Sequence, residues 1–138
     1  MAVDLKTAQN VADQLRTSWF SSVSEIADLD LQRRTWLDMT NRNPHWSFIE
    51  FACSYPDRDQ VSQARREGWL SAEESRALND LRLILDGYSP PGDYPYDNAA
   101  VLADPAWRSV VDAADRAKQQ LLSVVHDQRE REVLLGIE

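Results

Sequence analysis

The chain has few of the residues on which most site chemistry depends: one cysteine, two histidines and four glycines in 138 residues. The lone Cys53 excludes an intramolecular disulfide and any Cys-x-x-Cys zinc or redox motif. The four glycines, Gly68, Gly87, Gly92 and Gly136, are too scattered for a phosphate-cradling loop or a GxGxxG turn. His45 and His126 fall in neither an HExxH nor a Glu-x-x-His pattern, so zinc protease and di-iron ligand sets are both missing. No cofactor and no metal is expected. Lysine is scarce as well, two against thirteen arginines, a usage that suggests a GC-rich bacterial genome.

Long apolar runs are absent too. Mean hydropathy is −0.53, and no stretch approaches the roughly 20 apolar residues of a membrane span. Met1 to Asn10 carries Asp4 and lacks the apolar core of a signal peptide, so a cytoplasmic location is expected. Positive charge is the other deficit. The formal net charge is −8, from 23 acidic and 15 basic side chains, which argues against nucleic acid as a partner. The imbalance is concentrated at 46–100, with ten acidic and five basic residues. An acidic middle keeps a protein soluble and also steers basic partners toward it.

What is present is helical punctuation. Ala8, Val11, Ala12, Leu15 and Trp19 recur at spacings of three and four, and Val23 and Ile26 continue the stripe. This predicts one helix from about Asp4 to Ile26, or two with a break at Ser21-Ser22. Asp28 or Asp30 caps a second helix carrying Leu29, Trp36, Leu37 and Met39, before a turn at Asn41-Arg42-Asn43. Asn43-Pro44 opens a third, with Trp46, Phe48, Ile49, Phe51, Ala52, Cys53 and Tyr55. Helix is preferred to a buried strand here because the cap is explicit and no second strand exists to pair with it. A helix apolar nearly all round is expected to be central, with Cys53 as a small buried side chain.

Pro56 ends that element, and Asp57 or Asp59 caps a short helix through Val61 and Ala64. Gly68 supplies a left-handed stop. Ser71 and Glu74 form a capping box for a helix with Ala77, Leu78, Leu81, Ile84, Leu85 and Tyr88 on its apolar stripe, ending at Gly87. The helix dipole accounts for Glu73 and Glu74 in the first turn. Residues 88–104 read as the longest irregular stretch, with one short helical turn at Asn98–Ala103. Asp104-Pro105 opens a last long helix to at least Val125. The charged residues 126–132 and the apolar Val133, Leu134, Leu135 and Ile137 either extend it and dock or serve a homodimer, the latter through Val133, Leu134 and Ile137. Together these signals predict an all-α fold, a single-domain bundle of five to six helices spanning 1–138. The tryptophans Trp19, Trp36, Trp46, Trp69 and Trp107 are expected mostly as core anchors.

Candidate chemistry is thin. A Cys53–His45 dyad would sit about 12 Å apart along a helix, too far for proton transfer; Cys53 with His126 stays open. Asp93, Asp97 and Asn98 offer oxygen atoms without the spacing of a calcium loop. The strongest candidate is the loop in which Tyr88, Tyr94 and Tyr96 interleave with Asp93 and Asp97. Aromatic faces beside carboxylates suit the arginines and lysines of a protein partner. The competing reading is a proline-stiffened loop whose tyrosines fold back on the core.

Gly68-Trp69-Leu70-Ser71-Ala72-Glu73-Glu74, the Leu85-Asp86 helix end and Asp104-Pro105-Ala106-Trp107 with Val110-Val111 resemble small helical bacterial proteins of unassigned function. Some of those are similar to immunity proteins that neutralise toxins. The resemblance covers about half the chain and implies a partner-binding role, with no catalytic residues to transfer. The expected function is a non-enzymatic protein-interaction module, an immunity-like inhibitor of a basic toxin. The alternatives are a ligand-binding helical protein or enzyme with a pocket between helices lined by tryptophans and floored by Cys53 or His126, and a homodimeric structural module.

Overall fold

A computed structural model describes residues 5–38, 40, 48–92 and 97–136. Its described residues form helices and connecting turns, with no strand among them: α1 (Leu5–Ile26), α2 (Leu29–Trp36), α3 (Phe48–Ser54), α4 (Arg58–Arg66), α5 (Ala72–Asp86), α6 (Asn98–Ala103), α7 (Pro105–Val124) and α8 (Gln128–Leu134). The all-α expectation holds; five to six helices was too few. The excess comes from α6 and α8, short segments that the sequence left as a turn and a tail. No helix among the described residues is long and apolar enough to cross a membrane.

Side chains preceding each element explain where most of these helices begin. Asp28 accepts from the Leu31 N–H, Asp97 from Ala100, Asp104 from Ala106 and Asp127 from Glu130. Two complete capping boxes occur among the described residues, Asp57 with Gln60 and Ser71 with Glu74. Gly68, at φ +77°, stops α4, and the Trp69 N–H returns to Ala64 O at 2.9 Å. Gly87 also ends its helix, but at φ −79°, in ordinary right-handed backbone. α1 runs through Ser21-Ser22 unbroken, and Ser22 Oγ donates back to Ser18 O at 3.2 Å. The Asn43-Pro44 start, Met39, His45, Trp46 and Ile137 lie outside the described residues, as do the side chains of Ala8, Ile49 and Phe51.

α5 and α7 form the central pair, with α1 across α7 and α8 folded back onto α1. Phe20, Leu78, Leu81, Trp107, Leu121 and Leu134 are fully buried in one shared core. α7 stops at Val124 because the chain turns extended at Val125. Arg131 of α8 then donates to Leu122 O and Val125 O, closing the carbonyl end of α7. The C-terminal segment therefore docks within the chain, and Leu134 is unavailable to a homodimer seam.

Four apolar positions depart from expectation. Val11, Leu37 and Ile84 are exposed, at 45%, 50% and 41%. Val11 lies beside Ala12, about 100° around the helix from the buried line. Leu37 comes just past the end of α2. Ile84 faces Ala113 and Ala117 of α7, which are too short to cover it. Cys53 is exposed in the last turn of α3, so α3 is peripheral at that end.

Buried polar groups fix the register of the helices. Gln32, fully buried, donates to Glu25 O and Ile26 O and accepts from Trp107 Nε1 at 2.9 Å, tying α2 to the α1 terminus and to α7. Arg16 of α1 meets Glu74 of α5 at 2.6 Å and Glu130 of α8 at 2.8 Å, and donates to Trp69 O. Its guanidinium also lies 5.0 Å from the Phe20 ring centre. Glu74 does more than complement the helix dipole: it accepts from the Ser71 N–H and from Arg16 together. Burial alone pushes the Glu74 carboxyl up, but the bonds from Arg16 and Ser71 outweigh it and hold it below its ordinary value.

A carboxyl held low when folded stabilises fully above its unfolded pKa, and that contribution is lost as pH falls through the folded pKa. Glu74→Gln is therefore expected to cost about 2 kcal/mol at neutral pH. Its stability should also fall less steeply than the wild type's as the solution is acidified from the ordinary glutamate range downward. Urea denaturation across that range checks both, and parallel pH profiles would contradict the assignment.

Candidate functional site

The Tyr-Pro loop leaves the end of α5 from an aromatic platform. Trp107, fully buried near the start of α7, packs on Trp36 at 5.7 Å and on Phe48 at 5.4 Å between ring centres. Tyr88, half-buried, lies on this cluster, 5.2 Å from Trp107 and 5.3 Å from Phe48, the latter edge to face. Its hydroxyl donates to Asp104 Oδ2 at 2.9 Å. Asp104 Oδ1 simultaneously accepts from the Ala106 N–H at 3.0 Å. One carboxylate thus starts α7 and holds the first residue of the loop. Burial, then the Asp104 carboxylate, push the Tyr88 hydroxyl well above its usual pKa, so it stays a proton donor.

The other end of the loop is pinned as firmly. Asp97 caps α6 through Ala100 N at 3.1 Å and remains exposed. Asn98, buried, accepts from Phe48 N at 3.4 Å and donates to Trp36 O at 3.1 Å, joining α6 to α2 and α3. Its amide oxygen serves the fold and is not presented as a ligand for a cation. Of the five residues expected to meet a partner, Tyr88 and Asp97 flank the loop as its anchors, and Asp93, Tyr94 and Tyr96 lie outside the described residues.

Charge along this part of the sequence is one-sided. From Ala77 to Trp107 the sequence holds five aspartates, Asp80, Asp86, Asp93, Asp97 and Asp104, and one basic residue, Arg82. Arg82 turns inward. It donates to Ala52 O and Tyr55 O at 3.2 Å and pairs with Asp86. On the same helix Leu83 is 57% exposed beside Ile84. The sequence carried a signal for this: Leu83-Ile84-Leu85 are consecutive, and one helix face does not bury three successive residues.

Other candidate chemistry does not converge. Cys53 in α3 and His126 in the connection between α7 and α8 are both exposed. Among the described residues no group of three or more His, Cys, Asp or Glu side chains is arranged to hold a metal ion. A groove of about 650 Å³ between α1, α2 and α8 is lined by Ser21, Ser24, Glu25, Asp28, Arg34 and Gly136, and it opens to solvent. A second, of about 250 Å³, lies over Asp13, Thr17, Asp127, Arg129 and Glu130. Neither is lined by a tryptophan, by Cys53 or by His126. Trp36 and Trp107 instead fill the space between helices with each other. No protein family, curated protein or solved structure matches the chain.

The anchoring geometry separates charge from capping. Asp97→Ala is expected to lower stability by about 1 kcal/mol, whereas Asp97→Asn, which still caps, changes it by a few tenths. Tyr88→Phe keeps the ring and loses the bond to Asp104, at about 1 kcal/mol. Denaturation midpoints check all three, and an Asn variant as unstable as Ala would contradict the capping role.

Proposed function

We propose that the chain is a non-catalytic interaction module that binds a basic protein through its loop-bearing acidic end, an immunity-type inhibitor of a basic toxin. The observation that carries this is the acidic run of the sequence from Ala77 to Trp107: five aspartates against a single arginine, Arg82, which is committed to backbone carbonyls and Asp86. Carboxylates displayed around a segment rich in tyrosine and proline draw in cationic surfaces and offer rings for arginine and lysine stems. Pinning the loop at Tyr88 and Asp97 limits the entropy lost when it meets a partner. The acidic end then covers the basic working surface of the toxin and blocks it.

The test uses a basic protein recovered on the immobilised chain from the cells that make it. Expressed alone, that protein should arrest growth, and co-expression of the chain should restore it. Tyr94→Ala combined with Asp97→Asn should weaken the complex about tenfold or more while leaving the melting temperature in place. The remaining affinity should fall with added salt. An affinity that ignores both the double substitution and the salt would remove the loop end from the interface.

A further inference from the structure

The groove between α1, α2 and α8 holds a hydroxyl that the fold does not use. Serines and threonines inside a helix either point to water or bond back to the preceding turn. Thr17, Ser22 and Thr35 bond back, donating to Asp13 O, Ser18 O and Leu31 O. Ser24 does neither. It is 8% exposed, and its hydroxyl makes no hydrogen bond with the described residues. It opens into the groove beside the turn that follows α8: a Cβ placed on Gly136 would lie 3.5 Å from Ser24 Oγ. Buried polar atoms in a folded protein are paired, by the chain itself or by something bound to it.

The groove lining carries charges of both signs around this hydroxyl. Ser21, Ser24 and Asp28 follow one another at three and four residues, along one face from the end of α1 into the cap of α2. Asp28 Oδ1 accepts from the Leu31 N–H, and its other oxygen accepts nothing from the described residues. Glu25 adds a second carboxylate to this wall. Arg34 of α2 is exposed and forms no ion pair with the described residues. Helical side chains lean toward the helix N-terminus, which for Arg34 is toward Asp28. Leu31 and Val133, both half-buried, add apolar surface. At about 650 Å³ the groove falls in the size range of small-molecule sites.

We propose that this groove binds a free aliphatic amino acid as its zwitterion. The ammonium donates to Asp28 and to Ser24 Oγ. The carboxylate accepts from the guanidinium fork of Arg34 and from the Ser24 hydroxyl, which can both accept and donate. The aliphatic side chain lies on Leu31 and Val133. A simple cation meets the repulsion of Arg34, and a simple anion meets that of Glu25 and Asp28. A molecule with both charges a few bonds apart suits a lining of both signs. The site is separate from the loop end and does not depend on the reading of the protein as an interaction module.

The test is isothermal titration calorimetry of the full chain with L-leucine. Isocaproate, which lacks the ammonium, and isoamylamine, which lacks the carboxylate, are the controls. Leucine should bind saturably, one to one, and each control about tenfold or more weaker. Ser24→Ala loses no bond within the fold, so it should keep the melting temperature of the free chain and weaken leucine about fivefold or more. Arg34→Gln should weaken leucine about tenfold and leave isoamylamine unchanged. Asp28→Asn, which still caps α2, should weaken leucine and leave isocaproate no weaker. Absence of saturable leucine binding, or a control that binds as well as leucine, overturns the site. So does leucine binding that Ser24→Ala and Arg34→Gln leave intact. A clearly lowered melting temperature in Ser24→Ala would assign that hydroxyl to the fold and overturn its role as a ligand contact.

Discussion

Arg16 presents five N–H groups in a rigid plane, and the fold supplies an acceptor for every one. Nε donates to Glu130, one terminal nitrogen to Glu74 and Trp69 O, and the other to Glu74 and Glu130. Those acceptors come from α5, from α8 and from the turn between α4 and α5, while the arginine belongs to α1. A guanidinium with 16% of its side-chain surface exposed cannot tolerate missing partners, and neither can carboxylates at 6% and 11%. Sliding α8 by one residue along α1 would leave charge buried without a counterpart. The cluster therefore specifies where the short terminal helix sits, and apolar packing by Leu134 and its neighbours supplies the bulk of the attraction.

The same device recurs at smaller scale. Gln32 reads α2 against Trp107, Asn98 reads α6 against the end of α2 and the start of α3, and Arg131 and Arg82 close the carbonyl ends of other elements. Each is a side chain satisfying backbone or indole groups that burial would otherwise leave unpaired. Small helices such as α6 and α8 have little apolar surface of their own, so these bonds decide their positions. The aromatic platform is one result. Trp107, Phe48 and Tyr88 are held from three directions, and the acidic loop leaves from a fixed base. Organisation inside and negative charge outside are thus two uses of one set of short elements.

Local signals were legible from the sequence. Ser71 and Glu74, Asp104-Pro105 and Gly68 act on backbone groups within three or four residues, so their effect is written next to them. Long-range pairing was not legible. Glu74 was accounted for by the helix dipole, yet its principal partner, Arg16, lies 58 residues earlier. One signal existed: Arg16 falls on the line of Ala12, Trp19, Phe20 and Val23, where a charge needs a counter-ion. Ile84 was misjudged because helical period identifies a face but not whether the neighbour on that face is large enough to cover it. At the candidate site, the loop's composition marked Tyr88 and Asp97, and only the fold shows that they serve as anchors.

Native-state hydrogen exchange on Arg16→Met tests the central claim directly. With the guanidinium gone, Glu74 and Glu130 remain as two buried carboxylates without a cation, and α8 should be expelled from α1. The account predicts that helical amides of α8 exchange about tenfold or more faster, while those in the middle of α7 keep most of their protection. Protection lost evenly across the chain, or unchanged in α8, would show that apolar packing alone places that helix.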